Sequence, residues 1–287
     1  MRNWENALAT ALNRQWRRYR KALKRCQRDF SEASIHASRI EARRLAAHLE
    51  LLRVFVQRRA LEKASQSIKR HLDTFDRLRD AQVQLIILQK EGRAIHGSEA
   101  IRKITVKHAQ RCQRKAERRI RRVKTRQLGR VAESLIERLH FGGKNPEWMR
   151  LDRKTIIRNA DAAFTRVVEC RRHMNGADPA TIHHTRVAFK CFRYMMESMR
   201  LLFPEITRRR LAAMKAFQDV LGELQDTDVF LARVDKLIAK ERVEATETLP
   251  FRRWLVRRHV RHVNRCLRRA NVVFKFWPLK SARAEME

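Results

Sequence analysis

Two stretches of this chain share one pattern of apolar and basic positions. Leu45, Leu49, Leu52 and Val56 recur at steps of four, three and four, and Phe192, Met196, Met199 and Phe203 repeat those steps 147 residues later. Such spacing puts each set on one side of an α-helix. With His36 as origin and about 100° per residue, Arg39 and Arg43 fall at about 300° and about 340°, opposite the apolar set. The second copy places His183, Arg186 and Lys190 at the same offsets. Each helix is therefore expected to bury one face and present a histidine and two cations on the other. Ser31 and Asp178 are matching N-caps, and Pro179 suits a first helical position.

Turn signals are sparse. Breaks are expected at Asp29-Phe30-Ser31, Arg59 to Lys63, Gly92 to Gly97, Gly142 to Pro146, Asn175 to Pro179, Phe203-Pro204 and Ala245 to Pro250. They divide the chain into eight helices, four before Gly142-Gly143 and four after. The fourth, Ser98 to Phe141, is expected to be long, with a bend near Gly129.

Composition agrees with an all-α fold. In 287 residues there are only 7 Gly and 5 Pro. Lys and Arg number 67 against 31 acidic residues, a net charge of +36, so an anionic partner is expected to offset self-repulsion. The five cysteines are scattered without CxxC spacing, which reads as free thiols in a reducing compartment with no metal framework. The N-terminus is too polar for a signal peptide, and no window is apolar enough for a membrane span. A cytoplasmic protein is expected.

The repeat extends past the cassettes. Asp76-Arg77-Leu78-Arg79-Asp80 follows the first, and Gln218 to Asp228 follows the second, with Asp80 and Asp226 at almost the same offset. His-x-x-Arg-x-x-x-Arg/Lys twice, Arg-Asp-x-x-Val after the first copy and Gln-x-x-Leu-Gly-x-x-x-Asp after the second resemble the CHAD domain, the conserved-histidine α-helical domain. The resemblance runs from about Trp16 to Arg269. It implies a single domain over residues 1–287, with repeats at about 1–141 and 147–275. These would form two pseudo-twofold-related four-helix bundles enclosing a basic pore or groove. It also implies binding of inorganic polyphosphate and association with polyphosphate granules. Cys191 stands where the first copy has Arg44, so the halves need not contribute equally. No triphosphatase domain is expected upstream, because the first cassette begins within the first forty residues.

Polyphosphate has neither bases nor sugars, so a row of cations and N–H donors suffices to hold it. Arg39, Arg43, Arg44, Arg186 and Arg193 offer forked donors matched to phosphate oxygens, and Lys190 offers a point charge. His36 and His183 each add a donor near a helix N-terminus, with a structural hydrogen bond as the alternative role. Basic stripes on outer helices add Arg20 and Lys24, then Lys107, Arg111 and Arg114, then Arg258, Arg261 and Arg265. Some of these are expected to extend the phosphate path, although a charge run is usually a solvated face. Asp80 and Asp226 are read as partners that orient the cassette arginines, rather than as catalytic carboxylates. His259 and His262 have metal-compatible spacing but lie among cations, so no metal is assigned. The expected function is non-catalytic, with no cofactor. The alternative is a nucleic-acid-binding helical protein, against which stand the low aromatic content and the absence of a known reading module.

Overall fold

The structure is a computed structural model that describes residues 3–53, 59–141, 153–200 and 202–278. Among the described residues there are nine α-helices and no β-strand: α1 (Asn3–Arg28), α2 (Glu32–Arg53), α3 (Arg59–Ile87), α4 (Ser98–Arg121), α5 (Arg126–Phe141), α6 (Arg153–Arg172), α7 (Pro179–Met199), α8 (Arg208–Ala239) and α9 (Ala245–Arg269). No helix among them is long and apolar enough to cross a membrane. The all-α expectation holds.

The caps and core stripes fall where the pattern puts them. Ser31 Oγ accepts the Ser34 N–H at 3.3 Å, and the Asp178 carboxylate accepts the Ala180 N–H at 3.0 Å, with Pro179 opening α7. Leu45, Leu49 and Leu52 are buried, as are Phe192, Met196, Met199 and Phe203. Val56 and the turn expected at Gly142 to Pro146 lie outside the described residues.

Two boundaries differ from expectation, besides the break expected at Arg59 to Lys63, where α3 is already helical. The long fourth helix is broken at Arg122 to Thr125 into α4 and α5, ahead of Gly129. Gln27 of α1 donates its side-chain amide to the carbonyls of Ile120 and Val123, both at 3.0 Å, which satisfies acceptors exposed where a helix stops. Gly129 instead serves packing, since a Cβ there would meet the Trp16 ring at 3.2 Å. The second difference is at the start of α9. The chain turns at Lys240 to Glu244, and Pro250 lies inside the helix. The turn is a Schellman motif: Arg242 N–H reaches Leu237 O, Glu241 N–H reaches Ile238 O, and Glu241 adopts φ 52°. Glycine usually fills that position, so its absence hides the turn.

Among the described residues, the helices of the two repeats meet chiefly in two places. One is the α2–α7 contact. The other is a small apolar cluster in which Val83, Ile87 and Ile101 of the first repeat pack with Phe230, Phe251 and Leu255 of the second. There Gly97 (φ 80°) brings its backbone so close to α9 that a Cβ would strike the Glu247 carbonyl.

Candidate anion-binding site

Arg39 and Arg43 of α2, Arg79 of α3, and Arg186 and Lys190 of α7 act on one another electrostatically, together with Asp76 and Asp80 of α3 and Asp226 of α8. Among the described residues these four helices thus deliver five cations and three carboxylates to one locus, and Arg258 of α9 acts on Asp226 as well, leaving excess positive charge.

Burial makes that excess costly. Arg39 is only 8% exposed; among the described residues its Nε has no hydrogen-bond partner and its one ion pair, to Asp76, is long at 3.6 Å. Desolvation and the neighbouring Arg43 lower its pKa to about 10. Desolvation, Arg43 and Arg186 lower Lys190 to about 8. Arg186 is lowered chiefly by burial, and Asp226 compensates in part. Asp80 and Asp226 are raised by burial while the arginines pull the other way. Beneath Arg39 lies a neutral network: the hydroxyls of Tyr19 and Ser38 hydrogen-bond the two His71 ring nitrogens at 3.0 and 3.1 Å. Burial and then Arg39 depress His71 to about 4, so it adds no compensating charge and fixes α1, α2 and α3 together.

The other cassette residues have different surroundings. Arg44 donates to Glu197 of α7 at 2.8 Å and to Glu41 at 2.9 Å. Arg193 bonds Gln218 at 2.8 Å, contacts Glu197 at 3.4 Å and lies over the Tyr194 ring. Both therefore serve the α2–α7 joint through a shared carboxylate. His36 is exposed on the first turns of α2. His183 hydrogen-bonds Gln225 and lines a separate pocket of about 350 Å³ with Asp228, Asp235 and His259.

The outer stripes divide similarly. Arg258 reaches inward, pairs with Glu91, bonds Thr227 Oγ1 at 3.3 Å and acts on Asp226. Arg265 pairs with Glu223 at 2.5 Å, and Arg261 is exposed. Lys107, Arg111 and Arg114 lie on the exposed face of α4, while Arg20 and Lys24 lie on that of α1, Arg20 5.7 Å from the Trp16 ring. His259 hydrogen-bonds Asp228 at 2.6 Å, and His262 is lowered to about 4 by burial and neighbouring arginines. Among the described residues no three His, Cys, Asp or Glu side chains group as a metal site would require.

Sequence reasoning missed Arg79 as a member of the cluster. Its signal was present, since it adjoins Asp80, whose counterpart Asp226 also sits in the cluster.

The family model described as the CHAD domain matches residues 6–235. The solved CHAD domain from the plant Ricinus communis aligns with 92% of this chain and 91% of its own, at 18% identity and TM-score 0.65. PptA from Streptomyces chartreusis aligns with 93% of this chain and 98% of its own, at 14% identity and TM-score 0.69. At such identities both support the fold alone. No curated protein matches the sequence.

Proposed function

This chain belongs to the CHAD domain family, and on that premise we propose that it binds inorganic polyphosphate, without catalysis, in a basic groove where α2, α3, α7 and α8 converge. One observation carries the reading. Arg39 and Lys190 are held partly desolvated with depressed pKa values, and like charges rather than carboxylates are their strongest charged neighbours. An anion placed there relieves a repulsion the free protein sustains, and needs no base, sugar or metal to do so. The same reading takes the chain as one domain of two repeats related by a pseudo-twofold axis. Placement at polyphosphate granules follows from that ligand. Asp80 and Asp226 fit a supporting role, because each lies in the field of Arg79 and Arg186.

The test is competition at equal phosphate concentration over a salt series. Polyphosphate should displace duplex DNA and RNA, longer chains binding more tightly. Equal or better competition by nucleic acid would replace polyphosphate as the ligand.

A further inference from the structure

The outer face of α1 is a second concentration of positive charge, built differently from the cluster. Arg17, Arg20, Lys21, Lys24, Arg25 and Arg28 line a shallow open basin of about 450 Å³. All six are exposed, and none is held in an ion pair among the described residues. Between Glu5 and Asp29 the helix contains no acidic residue. Its opposite side is firmly anchored by Leu12, Trp16, Tyr19, Leu23 and Cys26, all buried. That anchoring holds straight a stripe of like charges that would disfavour an isolated helix. The stripe runs about 16 Å, so its occupant is an extended polyanion rather than a single small anion.

The stripe is not an extension of the central cluster. α1 packs on α2, α4 and α5, whereas the cluster lies where α2 meets α7. The charges acting on Arg39, Arg186 and Lys190 come from α2, α3, α7 and α8, not from α1. Trp16 and Tyr19 are turned into the core, so the face offers charge without a stacking platform for bases.

We infer that the α1 face is a second polyphosphate-binding site, separate from the central groove, through which one protein molecule bridges two polyphosphate chains or two distant segments of one chain. The inference rests on the reading of polyphosphate as the ligand. Two sites facing different directions would turn a binding protein into a cross-linker, and each added protein would join chains instead of only coating them.

The test compares wild type, Arg20→Gln/Lys24→Gln/Arg28→Gln, and the charge-matched control Lys236→Gln/Lys240→Gln/Arg242→Gln. Titration with a short polyphosphate should give two chains bound per wild-type protein and one per α1 variant. The tighter of the two affinities should remain within about threefold, since single exposed charges contribute little elsewhere. Energy transfer between donor-labelled and acceptor-labelled long chains should fall at least about tenfold with the α1 variant and persist with the control. Unchanged bridging by the α1 variant, or equal loss in the control, would overturn the second site. So would a loss of the tighter affinity, which would make α1 part of one site. Loss of duplex DNA binding alone would assign the face to nucleic acid instead. A wild type that binds no polyphosphate defeats the ligand assignment; one that binds but never bridges defeats only the second site.

Discussion

Arg43 on α2 is the charge that most depresses the Lys190 ammonium on α7, and the two residues are equivalents in the repeat, 147 positions apart. The repeat thus sets its own cations against one another across the α2–α7 contact. Bound phosphate would turn that repulsion into shared attraction.

Proton linkage at Lys190 follows. Its free-state pKa is about 8, and a bound polyanion raises it, so binding takes up protons at and above that pH. Affinity should therefore fall by about tenfold between pH 7 and pH 9.5, roughly one pKa unit of coupling. Calorimetry at pH 8.5 in buffers of different ionisation heat would read the uptake. It should vanish in Lys190→Gln; uptake unchanged in that variant assigns the linkage elsewhere.

Lys190→Met should stabilise the free protein while weakening its binding. Removing a desolvated cation beside Arg43 and Arg186 should contribute about 1 kcal/mol, seen as a Tm rise of roughly 2–4 °C. The wild-type penalty is present below pH 8 and fades as pH rises towards the lysine's unfolded value of about 10.4. The Tm gain should shrink accordingly between pH 7 and pH 10. A lower Tm for Lys190→Met at pH 7 would contradict a strained cluster.

Acid should weaken the fold through His71. A folded pKa of about 4 against an unfolded value of about 6.5 means the unfolded chain is protonated first. This contribution is fully present above about pH 6.5 and lost as pH falls towards 4, up to about 3 kcal/mol. Urea denaturation at pH 7 and pH 4.5 should show a steeper loss for wild type than for His71→Gln. Parallel losses would place the acid sensitivity outside the Tyr19–His71–Ser38 network.

Charge position should matter more than charge number. Arg39→Glu with Arg186→Glu should lower polyphosphate affinity on the order of 100-fold, because reversed charges act there with little screening. Arg253→Glu with Arg257→Glu, on the exposed face of α9, should cost less than about fivefold. Fluorescence anisotropy with a labelled chain reads both; equal losses would make the binding diffuse.

Local rules exposed the caps, the core stripes and the all-α class, because each is written in spacing a few residues long. Arg39, Arg43, Arg186 and Lys190 were legible for the same reason: they face away from a core stripe in both copies. What sequence hid depends on distant partners. The α4–α5 break is supported by Gln27, far upstream, and the turn before α9 uses Glu241 where glycine would have signalled it. The carboxylate that Arg44 and Arg193 share, Glu197, is likewise far from Arg44 in sequence. His183, matched to His36 by spacing, turns towards Gln225 of α8.

The most direct measurement is a crystal structure with a short polyphosphate bound. Phosphate oxygens should lie within hydrogen-bonding distance, about 2.7–3.2 Å, of the Arg39, Arg43, Arg79, Arg186 and Lys190 side chains. They should bridge α2 to α7 and take up the unpartnered Arg39 Nε. Ordered phosphates confined to outer helix faces, with none among those five side chains, would contradict the account.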